Sequence, residues 1–150
     1  MGATIQEPSE MGRVLTEATI ENLKDLWDAQ RGLRAPDQVR RLDVTDALVD
    51  TGATTLSLPT RLIQQLGLAP VASKHVNTSG GTLVTTTMYE AVRLTIQGRS
   101  GTVDVMEVPD NVPILIGQIP LELLDLVVNL REGKLTGNPA HGGEHMFDLY

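Results

Sequence analysis

The chain contains no cysteine. That excludes a disulfide framework, a thiolate nucleophile and any cysteine-based metal site. Aromatic residues make up only 3% of the sequence, so the core must be built from aliphatic side chains. Positive charge is scarce as well: 12 Lys and Arg stand against 19 Asp and Glu, a formal net charge of −7. Binding to nucleic acid calls for a basic surface, and this balance argues against that partner. The acidity itself serves solubility. No apolar run approaches membrane-spanning length, which argues against a membrane partner. The opening MGATIQEPSEMGRV has no basic segment followed by an apolar one, so it does not read as a secretory signal. A soluble cytoplasmic protein is the expectation, and Asn77-Thr78-Ser79 then matches a glycosylation sequon by chance.

What is present is a chain of 150 residues, enough for one core and not for two. Residues 1–12 are polar and read as a flexible N-terminus, 13–138 as the domain, and 139–150 as a tail without clear periodicity. RVLTEATIEN alternates apolar and polar residues, with Val14, Thr16, Ala18 and Ile20 on one side, and reads as a strand. NLKDLWDAQRGL reads as a short helix stopped by Gly32, with Leu23, Leu26, Trp27 and Gln30 on one face and Trp27 as a local core anchor. Strand character resumes near Val39 and becomes continuously apolar at Ala47-Leu48-Val49, which implies burial on both faces. LPTRLIQQLGL reads as a helix opened by Pro59 and closed by Gly67. Two β-rich runs flank Ser79-Gly80-Gly81, a hairpin signal. A further strand pair turns at QGRSG. Ile114-Leu115-Ile116 is a second doubly buried run, ending at Gly117. A short amphipathic helix or turn at IPLELLDLVV and a last hairpin around Arg131 to Lys134 complete the chain. Short strands with turns about every ten residues indicate an all-β barrel or sandwich.

One residue breaks this pattern. The apolar run DALV ends in an acid, Asp50, followed at once by Thr51 and Gly52. A lone buried carboxylate is costly unless it is paired, hydrogen-bonded or protonated. Gly52 lets the backbone come close, so the carboxylate can accept the Gly52 N–H and be held rigidly towards a cleft. A general acid or base needs that arrangement.

ALVDTGATTLSLP resembles the active-site loop of the aspartic peptidases, and VPILIG resembles the apolar-apolar-Gly segment whose strand packs against that loop. The 67 residues from Asp50 to Gly117 approximate the spacing of single-domain retropepsins. KHVNTSGGTLVTTTMY stands where those enzymes carry a glycine-tipped flap, and LELL fits the helix after the second glycine. The resemblance spans roughly Arg13 to Leu126. It implies an all-β, retropepsin-like closed barrel with a flap hairpin and one or two short helices. It also implies an aspartic endopeptidase with Asp50, Thr51 and Gly52 in the catalytic loop. Ala53, Gly80, Gly81, Ile116 and Gly117 would contact a peptide or protein substrate, with no metal and no organic cofactor.

In that family two carboxylates share one proton and activate a water between them. Asp104, Asp110, Asp125 and Asp148 all lack a following Ser/Thr-Gly, so this chain carries one such motif. The resemblance therefore implies a homodimer. The chain departs from retroviral enzymes at Thr54 and Thr55, where acids are usual, and at Gln118, where an arginine is usual. Both members of that ion pair are replaced together. The LPTRLIQQLGL helix is longer than in viral enzymes and resembles cellular and bacterial relatives. Whether Val127–Asn138 forms a dimer sheet is left open by the residues. The rival reading is a catalytically silent dimerisation or peptide-binding module of the same fold. His141 and His145 have a spacing that metal sites use on helices, but Gly142 and Gly143 argue against a helix there, so no metal site is expected.

Overall fold

The computed structural model describes residues 13–146. The expectations for the 1–12 segment and for the last four residues of the tail lie outside them. Nine strands are present among the described residues: β1 (Val14–Asn22), β2 (Arg41–Val49), β3 (Leu56–Pro59), β4 (Pro70–Asn77), β5 (Leu83–Ile96), β6 (Arg99–Val108), β7 (Leu115–Ile116), β8 (Leu126–Asn129) and β9 (Lys134–Gly137). Three short α-helices accompany them, α1 (Leu23–Gln30), α2 (Thr60–Leu66) and α3 (Gln118–Leu123), one more than the upper expectation. None is long and apolar enough to cross a membrane.

The main sheet runs β1-β2-β7-β3-β6-β5-β4, and β1 pairs a second time with β5, from Thr19 opposite Thr95 to Asn22 opposite Val92. That second pairing closes six strands into a ring and leaves β4 outside it. β8 and β9 form a sheet of their own. The fold is all-β, as the spacing of turns implied.

Alternation in β1 places Val14, Ala18 and Ile20 in the core. Thr16 is only half-buried, because the β1–β2 register shifts between Thr16 and Ala18. The core is aliphatic: Leu56, Leu58, Leu66, Val92, Leu94, Val105, Ile116 and Leu124 have no accessible surface. β3 is buried at every position, Ser57 included, since it lies between β7 and β6. In β2 the expectation of two buried faces is corrected: Ala47 is buried, while Leu48 and Val49 remain half-exposed.

α1 brings a second correction. Trp27 is 47% exposed, and the buried residues of the helix are Leu23 and Asp25. The cause is Asp25, whose side chain is inaccessible to solvent and ion-paired with Arg34 and Arg40. Trp27, two residues on, lies roughly 200° further round the helix and faces outwards. Asn22 caps α1 by accepting the Asp25 N–H at 2.9 Å and donates to the Leu66 carbonyl at 2.8 Å, so β1, α1 and the end of α2 are tied together. α2 stops at Gly67, which has φ +69° and lies directly under the Arg40 guanidinium.

Candidate active site

Residues 50–55 leave β2, turn, and enter β3. Asp50 is half-exposed, Thr51 and Gly52 are exposed, and Thr55 is buried. Asp50 Oδ1 accepts the Gly52 N–H at 3.0 Å, while the Asp50 carbonyl accepts the Ala53 N–H at 3.0 Å. The carboxylate is therefore fixed by its own turn, as the sequence suggested. It is half-exposed, however, rather than buried.

What holds the turn in place comes from the far end of the chain. β7 inserts between β2 and β3, parallel to β2 (Val49 opposite Ile116) and antiparallel to β3 (Leu56 opposite Ile116). The Asp50 N–H donates to the Ile116 carbonyl at 2.9 Å. Gly117 N–H donates to Thr55 O at 3.0 Å, Gln118 N–H to Ala53 O at 2.9 Å, and Ile119 N–H to Thr54 O at 2.9 Å. Three consecutive N–H groups at the start of α3 thus satisfy three consecutive carbonyls of the loop. A Cβ at Gly117 would come within 2.5 Å of Thr55 O and 2.6 Å of Ala53 O, so only glycine permits this approach. Gly52 is less confined, since a Cβ there would meet Asp50 Oδ1 at 3.2 Å.

The two departures from the viral pattern have local partners. Thr55 Oγ1 donates to the Asp104 carbonyl at 2.9 Å and fastens the loop to β6. Gln118 Nε2 donates to Glu122 Oε1 one helical turn on, at 2.8 Å.

Gly80 and Gly81 lie at the tip of the β4–β5 hairpin. The tip is closed by Thr78 N–H to Thr82 O at 2.8 Å and Gly81 N–H to Thr78 O at 2.9 Å, with Gly81 at φ +81°. β4 has no buried residue, and β5 is exposed over Leu83–Thr85 before it joins the ring, so the hairpin stands off the body. Among the described residues it shares no hydrogen bond with the Asp50 loop. The structure thus gathers Asp50, Thr51, Gly52, Ala53, Ile116 and Gly117 into one unit and sets Gly80 and Gly81 apart on a separate arm.

Two cavities separate that arm from the body. One, of about 410 Å³, lies between Thr54 and Thr55 of the loop, Lys74, His75 and Val76 of β4, and Asp104 and Met106 of β6. The other, of about 670 Å³, lies between Thr60, the hairpin residues Val84–Thr87, and Met106 to Pro109. Val76 and Met106 border both, so the cavities adjoin. Asp50 lines neither.

Several polar residues were not singled out from the sequence. Asp25 is held well below the usual carboxylate range by the hydrogen bonds from Arg40, against the opposing effect of burial. The Asn22-x-x-Asp25 spacing before an apolar run was its available signal. Asp125, in a left-handed conformation (φ +56°), gathers His141 Nδ1 at 2.6 Å, Asn138 Nδ2 at 3.2 Å and Met146 N–H at 3.1 Å. His145 Nε2 lies 3.1 Å from the Leu123 carbonyl, so the two imidazoles of the tail are engaged separately.

The sequence matches the family model described as aspartyl protease over residues 40–118, from the start of β2 to the first residue of α3. No curated protein matches the chain. One of the solved structures it matches is the EIAV protease complexed with the inhibitor HBY-793, at 19% identity, covering 81% of this chain and 92% of that one, with a TM-score of 0.46. The family match takes in more than half of the sequence, and it contains the Asp50 loop, the β4–β5 hairpin and Gly117 together. The chain belongs to the aspartyl protease family.

Proposed function

We propose that the protein is an aspartic endopeptidase acting as a homodimer, with Asp50 of two copies brought together at a two-fold axis. The observation that carries this reading is the Asp50 turn itself. Its carboxylate is pinned by the Gly52 N–H, half-exposed, and backed by Gly117, yet the chain supplies it once. Two such carboxylates at close range cannot both ionise, so the pair holds one proton and titrates as a unit.

In that arrangement the ionised carboxylate takes a proton from a water whose oxygen attacks the carbonyl carbon of the scissile peptide bond. The protonated carboxyl hydrogen-bonds the carbonyl oxygen as the carbon becomes tetrahedral and the oxygen takes up negative charge. The C–N bond then breaks, the nitrogen takes a proton from a carboxyl group, and two peptide fragments leave. In this reading Thr51, exposed beside Asp50, bonds across the axis to the other copy's loop. Ala53 borders the floor. Ile116, which has no accessible surface, and the buried Gly117 support the loop from behind and do not meet a peptide as the resemblance implied. Gly80 and Gly81 form the tip of a flap that closes over an extended peptide.

Wild type and Asp50→Asn should be incubated with a peptide mixture from acidic to neutral pH, and cleavage mapped by mass spectrometry. Cleavage by the wild type is expected, falling about a thousandfold in the variant. Absence of Asp50-dependent cleavage at concentrations where sedimentation shows a dimer would instead favour a silent dimerisation or peptide-binding module. A chain that stays monomeric at high concentration would rule out the shared site.

A further inference from the structure

The larger cavity beneath the hairpin is walled mainly by hydroxyl and aliphatic groups: Thr60, Thr78, Thr85, Thr86 and Thr87, with Val76, Val84, Met106 and Val108. One ionisable residue lines it, Glu107. Its carboxylate is oriented, since Thr60 Oγ1 donates to Glu107 Oε2 at 2.8 Å, and Thr60 lines the same cavity. Its backbone is held too, because Thr86 Oγ1 donates to the Glu107 carbonyl at 2.7 Å. Tyr89 lies beside it: burial, the Glu107 charge and a hydrogen bond to the Glu107 side chain together push the phenol pKa up. Among the described residues Glu107 enters no ion pair. Lys74 and His75 line the adjoining cavity.

A half-buried carboxylate bonded by neutral hydroxyls and, among the described residues, unmatched by any cation is an incomplete recognition site. A cationic side chain would complete it with a charge-assisted hydrogen bond. Through Val76 and Met106 the cavity adjoins the one bordered by Thr54 and Thr55 of the Asp50 loop, so a peptide lying over that loop can reach it. Glu107 is opposite Leu58 in the parallel β3–β6 pair, three residues beyond Thr55 of the loop, or about 10 Å at strand spacing.

We infer that Glu107 is a specificity-determining residue and that the cavity around it receives a lysine or arginine side chain of the substrate. This deepens the endopeptidase reading and rests on it for the word substrate, but not for binding. The neighbouring threonines leave room for the aliphatic stem of such a residue while the carboxylate meets its head group. A norleucine in its place keeps the stem and leaves the carboxylate unmatched, which is the kind of analogue a polar site rejects.

The test uses the Asp50→Asn chain, so that binding is measured without turnover. Fluorescently labelled extended peptides carry lysine, norleucine or glutamate at one position at a time, and affinity is read by anisotropy. At one position lysine should exceed norleucine by about tenfold. The isosteric Glu107→Gln change in the same background should bring the two within about twofold, with the melting temperature confirming that the variant folds. Cleavage by the otherwise wild-type Glu107→Gln chain should persist and lose its basic preference. Equal binding of lysine and norleucine at every position, or a preference that survives Glu107→Gln, overturns the inference. If the wild type cleaves nothing while the Glu107-dependent preference is present, the endopeptidase reading falls and this one stands.

Discussion

Replacing Gly117 with alanine tests how the Asp50 loop is supported. Gly117 has φ −89° and ψ −172°, a conformation alanine adopts freely, so backbone strain is not the issue. Space is. The new methyl would meet Thr55 O at 2.5 Å, Ala53 O at 2.6 Å and Ala53 C at 2.8 Å, all backbone atoms that no rotamer change can remove. Relief requires α3 and the 53–55 segment to separate, at the expense of the three N–H···O bonds that join them. Overpacking of this kind costs about 1–3 kcal/mol, and the weakening of one such bond adds about 1 kcal/mol. A loss of about 2–4 kcal/mol corresponds, for a chain of this size, to a fall of about 6–12 °C in melting temperature. Thermal unfolding followed by circular dichroism reads it directly. Gly80→Ala is the control, because its nearest contact would be Thr78 Oγ1 at 3.8 Å, and its stability should change by less than about 0.5 kcal/mol. If Gly117→Ala melts within about 2 °C of wild type, the two segments are not held as described. Because Ala53 follows Asp50 by three residues, the same variant should lose the proposed peptidase activity well beyond its loss of stability.

Other changes have equally direct readings. Asp25→Asn removes the charge that Arg40 and Arg34 surround; allowing for the partial exposure of both arginines, it should cost about 2–3 kcal/mol near neutral pH. Because the folded state lowers the pKa of Asp25, its contribution is present above the unfolded value of 3.8 and disappears as pH falls through the lower folded one. Urea titrations should therefore show wild type and variant converging in strong acid, and parallel curves at all pH values would contradict this. Asp125, lowered chiefly by its bond to His141, should release the tail as pH drops below its depressed pKa. Hydrogen exchange at residues 139–146 should rise in acid, and rise at neutral pH in Asp125→Asn; unchanged protection would count against the anchor. Thr55→Val deletes the buried bond to the Asp104 carbonyl and should cost about 1 kcal/mol by chemical denaturation, with equal stability contradicting the role given to that hydroxyl.

The Asp50 turn was legible in the sequence because it is a local object. A carboxylate two residues before a glycine can accept that glycine's N–H whatever surrounds it, and the bond is present at 3.0 Å. The same holds for the stop at Gly67, the hairpin tip at Gly80-Gly81, and the turn between β5 and β6, which needs only Gln97 and Gly98 in left-handed conformations. Trp27 was misplaced because periodicity ranks residues by hydrophobicity, whereas the helix is turned by Asp25 towards arginines 9 and 15 positions further on. Leu48 and Val49 were overcounted as buried because an apolar run does not say which neighbours will cover it.

The sequence by itself determined the local elements, the single Asp-Thr-Gly turn and the glycines that bracket it, since each follows from conformational preferences within a few residues. Only the tertiary structure decided what lies beside them. It closed the ring through β1 and β5, inserted β7 between β2 and β3, and put Gly117 against the carbonyls of Ala53 and Thr55. It also set Glu107 in a cavity under the hairpin, where its strand alone marks it as one more polar position. These contacts join residues tens of positions apart, and pairings at that range depend on how the whole core packs.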